Sequence, residues 1–206
     1  MPEYKLYYFA GRGLGEVSRQ LFHISGTPFE DVRIETDKWP EYKSKTPFGQ
    51  IPVLLVDGKP LPQSFAIARY LAKEFGMAGK NNFDAAWVDA IADQFKDYIS
   101  EIRPLVVVLY GFAEGDKDKL KKETGVHARD KLYPILEKRL GESSSGYLVG
   151  DSLTWIDLAI ADHCDVLLQH LPGFLDGFPK VLALKSKVQS CPKLKSYLEK
   201  RPASRF

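Results

Sequence analysis

Two tyrosines, Tyr7 and Tyr8, lie side by side near the start of the chain, within the aromatic-rich segment Lys5–Phe9. This segment is typical of a β-strand, in which neighbouring side chains point to opposite faces. A phenol with a pKa of about 10 stays protonated at neutral pH and can donate a hydrogen bond. Because the two hydroxyls face different surroundings, only one of them can serve a given site.

Pro52 follows Ile51 at the head of the apolar run Ile51–Val56, where a proline forfeits a hydrogen bond if the run is a strand. Two interpretations are open. Pro52 is an ordinary edge-strand proline, or the Ile51–Pro52 bond is cis and turns the preceding backbone outward, where it can pair with an extended peptide ligand.

Gln63 and Ser64 lie where a turn meets a predicted helix. Ser64 is a suitable N-cap, and its hydroxyl, together with the free amides and the positive end of the helix, can hold a carboxylate. Capping alone is the simpler interpretation of a single serine.

Charge and cysteine content exclude several classes of protein. The 29 basic and 27 acidic residues leave a net charge of +2 and are scattered along the chain, which argues against a nucleic-acid partner. Cys164 and Cys191 form no C-x-x-C pair and have no histidine cluster nearby, so the sequence predicts neither a disulfide framework nor a zinc site. Without a signal-peptide-like start or a bilayer-length uncharged run, we expect no membrane association and a cytoplasmic location.

Periodicity divides the predicted elements into two groups, an α/β first half and a helical second half. The first half contains a strand over 5–9, a helix ended by Gly26, a strand over 30–34, a loop that holds Trp39 and Lys43, a strand over 51–56, a turn at Asp57-Gly58, a short strand and a helix from Ser64 to about Phe75.

From Phe83 onward, apolar residues recur every three or four positions, which is typical of helices. The first helix carries the stripe Trp87, Ile91, Phe95, Tyr98 and Ile102, and further helices are predicted over 117–140, 154–168, 180–190 and 193–200. The sequence thus predicts one domain over 1–76 and an all-helical domain over 83–206. Thr154 and Asp157 are predicted to cap one of these helices, with Leu153 and Leu158 as a hydrophobic staple, which is a folding role.

Taken together, the motifs resemble those of the cytosolic glutathione transferases over nearly the whole chain. Among these, the chain is most similar to the sigma class, which includes nematode enzymes and haematopoietic prostaglandin D synthase. The resemblance is carried by Tyr4–Phe9, Arg12–Gly13, Trp39–Glu41, Pro47–Leu54, Gln63–Ser64, Ala66–Leu71 and Ser152–Asp157. It implies a thioredoxin-like α/β domain of order βαβαββα, then an all-α bundle, in a homodimer.

The resemblance makes Tyr8 the catalytic residue, whose hydroxyl donates a hydrogen bond to the sulfur of glutathione and stabilises the nucleophilic thiolate. The implied glutathione-binding set is Tyr8, Phe9, Arg12, Trp39, Lys43, Gln50, Ile51, Pro52, Gln63, Ser64 and, from the second subunit, Asp97. The alternative for Trp39 is simple packing, and for Lys43 and Asp97 it is a solvated surface position. We expect the walls of the hydrophobic electrophile pocket at Leu14, Ile102, Leu105 and Phe206.

Two positions depart from the sigma pattern. Leu14 stands where that class carries an arginine, and Lys96 interrupts the acidic cluster that Asp93 and Asp97 would otherwise form. We therefore expect no functional metal, with glutathione as co-substrate. Phe48 occupies the place where some classes insert an aromatic ring into the partner subunit.

The leading hypothesis is conjugation of glutathione to hydrophobic electrophiles, a detoxification reaction. The alternatives are a non-catalytic carrier of hydrophobic ligands such as haem and a glutathione-dependent prostaglandin isomerase. Tyr8 argues against carriage as the sole role, because a passive carrier needs no thiol-activating phenol. Leu14 and Lys96 weaken the isomerase hypothesis.

Overall fold

The computed structural model describes residues 1–204, and the chain divides into two compact units. The first unit contains Met1–Ala78 and the segment from Gln189 onward, and the second contains Gly79–Val188. The last segment, which periodicity assigned to the helical domain, therefore belongs to the first unit.

The first unit is built on a four-stranded mixed sheet. Its elements are β1 (Tyr4–Phe9), α1 (Glu16–Ser25), β2 (Glu30–Ile34), α2 (Trp39–Lys43), β3 (Val53–Val56), β4 (Lys59–Pro62) and α3 (Ser64–Glu74). The strand order is β2-β1-β3-β4, with β1 and β2 parallel and the other two pairs antiparallel. The predicted βαβαββα order is confirmed, and residues 39–43, which periodicity left in a loop, form its second helix.

Local chemistry explains where these elements end. Gly26 ends α1 in the left-handed conformation at φ 76°, which costs glycine little. Asp57 and Gly58 join β3 to β4 with φ values of 49° and 76°, the positive pair that a tight two-residue hairpin requires. The central strands β1 and β3 place Leu6 and Leu54 in the core, and neither side chain is exposed.

A last helix, α9 (Pro192–Lys200), packs on α1 and so completes the first unit. Glu16 of α1 is buried and accepts hydrogen bonds from the Tyr197 hydroxyl at 3.1 Å and from Arg201 Nη1 at 2.8 Å. The His23 ring stacks on Tyr197 with 4.1 Å between the ring centroids. A buried carboxylate on the first helix is thus satisfied by the end of the chain.

The second unit is all helical in the residues described. Its helices are α4 (Asn82–Leu109), α5 (Lys117–Leu120), α6 (Val126–Glu142), α7 (Trp155–His170) and α8 (Pro179–Gln189). A π-helical turn over Lys121–Gly125 separates α5 from α6, where the sequence predicted one continuous helix. At this turn a Cβ on Gly125 would lie 2.6 Å from Leu105 Cδ2, so the bulge lets the backbone pack closely on α4.

The predicted apolar stripe of α4 is buried except at its first member. Ile91, Phe95, Tyr98 and Ile102 belong to the core of the second unit, but Trp87 is 41% exposed. The Arg139 guanidinium lies 3.9 Å from the Trp87 ring centroid and covers it by a cation–π contact. No helix in residues 1–204 is long and apolar enough to cross a membrane.

Asp157 caps α7, as the sequence predicts. Its carboxylate accepts hydrogen bonds from the Thr154 N–H at 2.8 Å, the Thr154 hydroxyl at 2.7 Å and the Leu148 N–H at 2.9 Å. Burial raises the pKa of Asp157 to about 6, against the lowering effect of these donors. The group thus satisfies three polar hydrogens inside the core.

Candidate active site

Tyr7 and Tyr8 lie on opposite faces of β1, as strand geometry requires. Tyr8 is 8% exposed and shares its face with the buried Tyr4 and Leu6. Tyr7 is half-buried on the other face, where its ring centroid is 6.4 Å from that of Tyr42. The two phenols therefore cannot serve the same site.

The Tyr8 ring is enclosed by the loop that follows β1. A Cβ on Gly15 would lie 2.5 Å from Tyr8 Cδ1, and one on Gly13, whose φ is 38°, would lie 2.5 Å from the hydroxyl oxygen. Both glycines are required because the backbone approaches the ring too closely for any side chain. The sequence indicated Gly13 as a turn residue and gave no signal for the role of Gly15.

The Tyr8 hydroxyl is held by a backbone amide. The Leu14 N–H donates to its oxygen at 2.9 Å, and no described residue accepts its hydrogen. Burial raises the pKa of Tyr8, and the Leu14 N–H and the charge of Arg19 only partly offset this. The phenol is consequently protonated at neutral pH, with its hydrogen available to a ligand.

Leu14 holds the Tyr8 hydroxyl through its backbone N–H. This hydrogen bond does not depend on the side chain at position 14, so it is kept although an arginine side chain is absent there. Its own side chain is 51% exposed. Arg12, two residues earlier, is buried at 4% exposure. The loop thus combines one buried cation with one open apolar side chain.

The Ile51–Pro52 peptide bond is cis. β3 begins directly after it and is an interior strand, so the edge-strand interpretation of Pro52 is wrong. Gln63 has φ 77°, a region that non-glycine residues rarely adopt, and its side-chain amide donates to Gln50 Oε1 at 3.4 Å. The structure therefore brings two residues of the expected binding set together.

Ser64 is the first residue of α3, and Gln63, rather than Ser64, holds the N-cap position. The N-cap interpretation of Ser64 is thus off by one residue. Its place in the first turn still puts its hydroxyl beside the amides and positive end of the helix, where an anion is stabilised.

Trp39 and Lys43 mark the two ends of α2. The Trp39 ring lies edge-on to Phe9, with 5.8 Å between the centroids. Lys43 is exposed, and its side chain runs near Gly49, where a Cβ would be 3.7 Å from Lys43 Cε. The first unit therefore places Phe9 beside Trp39 and Lys43 beside the loop that leads to Gln50.

The expected residues of the helical unit have different environments. Asp97 is exposed on α4, as are Asp93 and Lys96. Ile102 and Leu105 are completely buried, so they belong to the core and offer no surface to an electrophile. This corrects their assignment as pocket walls. Phe206 lies outside the described residues.

Two further groups bear on the chemistry considered for the chain. Cys164 is buried with the Tyr133 hydroxyl 3.5 Å from its sulfur, and burial raises the pKa of the Cys164 thiol to about 12. Cys191 is partly exposed and forms no disulfide. In residues 1–204, no three His, Cys, Asp or Glu side chains cluster as metal ligands do.

The fold and the site define a two-unit protein, in which a thioredoxin-like unit presents a buried, hydrogen-bonded phenol and a second unit is helical. Residues 4–73 match the glutathione S-transferase N-terminal domain, and residues 101–201 match the glutathione S-transferase C-terminal domain. The chain is 49% identical to glutathione S-transferase 1 of Ascaris suum over 206 residues, which is 100% of both chains.

Solved structures of nematode glutathione transferases are also similar to this chain. A Nu-class glutathione transferase of Haemonchus contortus is 52% identical, with a TM-score of 0.92 and 100% of both chains covered. A monomeric glutathione S-transferase of the hookworm Necator americanus is 52% identical, with a TM-score of 0.96, 99% of this chain and 100% of that chain covered. The chain belongs to the glutathione S-transferase family.

Proposed function

We propose that this chain is an enzyme that joins glutathione to hydrophobic electrophiles. The observation that carries the proposal is the buried Tyr8 phenol, whose oxygen is held by the Leu14 amide while its hydrogen is available to a ligand. A hydrogen bond from this phenol to the sulfur of glutathione stabilises the thiolate relative to the thiol. The tyrosine acts as a neutral donor and keeps its proton throughout.

The reaction with an activated halonitrobenzene shows which bonds form and which bonds break. The thiol of glutathione releases its proton to solvent, and the resulting thiolate forms a carbon–sulfur bond with the ring carbon. The carbon–halogen bond breaks, and the halide leaves with the bonding electron pair. Glutathione is consumed as co-substrate, and no electron transfer takes place.

The glutathione-binding set is proposed from the positions of its members in the first unit. Phe9, Arg12, Trp39 and Lys43 lie near the end of β1 and along α2, and Trp39 and Lys43 would hold the glycine end of glutathione. The backbone before Pro52 would pair with the cysteinyl part. Gln63 and Ser64 would hold the γ-glutamyl end, aided by the first turn of α3. Gln50, which accepts a hydrogen bond from Gln63, is the remaining member of the set. Leu14 remains the candidate contact for the electrophile.

We also propose a homodimer, in which Asp97 of the second subunit contacts the γ-glutamyl ammonium. The exposure of Asp97 on α4 and of Phe48, at 63%, supports this, since both are open to a partner. The Necator americanus relative is monomeric, and sedimentation of this chain distinguishes the two assembly states. A cytoplasmic location and the absence of a functional metal remain predictions.

The relatives that the chain resembles include nematode members of the family, and the one from Haemonchus contortus is of the Nu class. We retain the sigma-like pattern of the first unit as a hypothesis about its class. Nothing described in residues 1–204 favours carriage of haem or prostaglandin isomerisation over conjugation.

A conjugation assay with glutathione and an activated halonitrobenzene tests the proposed function. We expect turnover well above the rate of the uncatalysed reaction, rising with pH as the bound thiol ionises. A protein that binds glutathione but shows only the uncatalysed rate would overturn the proposal and favour a carrier.

A further inference from the structure

Arg19 binds the backbone carbonyls on both sides of Ala10, the residue directly after β1. Its Nη2 donates to the Phe9 carbonyl at 3.0 Å, and its Nη1 donates to the Gly11 carbonyl at 2.7 Å. The Gly11 carbonyl lies beyond the strand, so no neighbouring strand can satisfy it. The Arg19 guanidinium satisfies this carbonyl instead, at a position close to Tyr8.

Arg33 of β2 binds the carbonyl that lies between these two. Its Nη1 donates to the Ala10 carbonyl at 2.8 Å. Asp31 joins the two arginines, because its carboxylate accepts from Arg19 Nε at 3.0 and 3.1 Å and from Arg33 Nε at 2.8 Å. Arg19, Asp31 and Arg33, which we call the carbonyl clamp, thus hold three consecutive carbonyls.

The carbonyl clamp buries a charge, although the pairing of Arg19 with Asp31 and its hydrogen bonds offset the cost of that burial. Arg19 has no exposed side-chain surface, and a buried charge is unfavourable unless it is paired and hydrogen-bonded. Apolar residues can often fill such a position at no loss of stability. The guanidinium carbon of Arg19 also lies 5.8 Å from the Tyr8 ring centroid, so the charge is placed beside the reactive phenol.

The held carbonyls begin the loop that encloses Tyr8 with Gly13, Gly15 and the Leu14 amide. A loop that starts from a fixed backbone delivers the Leu14 N–H to the phenol oxygen at 2.9 Å. We propose that the carbonyl clamp positions the loop over residues 10–15 and thereby aims the Tyr8 hydroxyl at the glutathione sulfur. Arg19 and Arg33 are positioning residues, and this inference rests on the proposed function of Tyr8.

The test uses Arg19→Lys and Arg33→Met in the full chain, with Lys5→Met as the matched control. Lys5 pairs with Glu30 across the same two strands at 3.1 Å but contacts no loop carbonyl. The pKa of the bound glutathione thiol is read from the ultraviolet absorbance of the thiolate as a function of pH, which requires no turnover.

We expect the thiol pKa to rise by about one unit in Arg19→Lys and by about half a unit in Arg33→Met, which lowers the thiolate fraction by about tenfold and about threefold in buffer well below the wild-type thiol pKa. The kcat/KM for conjugation should fall by the same factors and recover in alkaline buffer. Affinity for glutathione should change less than about twofold, because the peptide contacts are elsewhere. Lys5→Met should match the wild type.

Two results would overturn the inference. The first is a wild-type thiol pKa in both folded arginine variants, with only thermal stability reduced, which would make the carbonyl clamp structural. The second concerns the case in which Arg19→Lys does not fold. Arg33→Met, at a side chain that is 25% exposed, then decides alone, and a wild-type thiol pKa in that variant would overturn the inference. A wild type that neither conjugates nor lowers the thiol pKa would instead overturn the proposed function.

Discussion

The Tyr8 hydroxyl is the group on which the proposed chemistry depends. Tyr8→Phe keeps the ring between Gly13 and Gly15 but deletes the hydrogen bond to sulfur. We expect turnover at neutral pH to fall about ten- to a hundredfold, equivalent to about 1.4–2.8 kcal/mol. The apparent thiol pKa should climb toward its free value of about 8.5, so activity should partly return in alkaline buffer. The pH–rate profile measures both effects.

Tyr7→Phe is the control for that experiment, because Tyr7 packs on the opposite face of β1 near Tyr42. It should leave the thiol pKa unchanged. A shift in Tyr7→Phe without one in Tyr8→Phe would refute the catalytic assignment.

Gly15 shows how tightly the loop encloses the phenol. In Gly15→Ala the new Cβ meets Tyr8 at Cδ1, Cγ and Cβ, 2.5, 2.7 and 2.9 Å away, and these atoms lie near the root of the side chain, where it cannot swing aside. We expect a loss of about 1–3 kcal/mol in the free energy of unfolding and a raised thiol pKa. Gly177→Ala, where a Cβ meets nothing within 4 Å, should be close to neutral. Denaturant unfolding compares the two, and equal effects would contradict the packing argument.

At the level of single residues, the sequence predicts the roles that depend on period and intrinsic chemistry. The two-residue period of a strand separates Tyr7 from Tyr8. The helical period also links Ile102 to Phe95 and Tyr98, which should have placed it in the core rather than in a pocket. The roles of Gly15 and Arg19 depend on contacts that only the folded loop creates.

Among the helices, the start of α7 depends most on one side chain. Asp157→Ala removes an acceptor from three buried donors, so we expect the free energy of unfolding to fall by about 2–3 kcal/mol. Asn81→Ala removes the exposed cap of α4, which accepts from the Phe83 and Asp84 amides, and should cost only about 1 kcal/mol. Chemical denaturation of both variants provides the measurement. An Asp157→Ala protein as stable as the wild type would show that the cap is dispensable.

Element boundaries were predictable where a specific residue enforces them and not elsewhere. Gly26 ends α1, and Asp57-Gly58 turns the hairpin, in agreement with the sequence. The π-helical turn that ends at Gly125 was not predictable, because it goes together with a tertiary contact, the close approach of the Gly125 backbone to Leu105 of α4, which leaves no periodic signal in the sequence. The helix over Trp39–Lys43 is too short for periodicity to reveal.

At the scale of the whole molecule, Asp97 tests the proposed homodimer. Asp97→Ala should raise the dissociation constant for glutathione about tenfold, from the loss of one charge-assisted contact worth about 1.4 kcal/mol. Asp93→Ala, one turn earlier on the same exposed helix face, is the control. Calorimetric titration gives the affinity, and sedimentation gives the assembly state. A monomer that binds glutathione as tightly as a dimer would show that Asp97 has no role across subunits.

The two-unit organisation was predictable from the change in periodicity near residue 80, because strands and helices leave different patterns. The membership of α9 was not, since its sequence is simply that of another helix. Its attachment depends on the buried Glu16 carboxylate, whose partners Tyr197 and Arg201 are 181 and 185 residues away.

These hydrogen bonds between Glu16 and the last helix have a consequence for synthesis of the protein. A ribosome adding about 5–20 residues per second makes α1 on the order of ten seconds or more before α9 leaves the exit tunnel. During that interval the nascent first unit lacks its last helix, and Glu16 is without the hydroxyl and guanidinium that will bury it. A premature stop codon just before Pro192 would therefore damage the part of the protein that was made first.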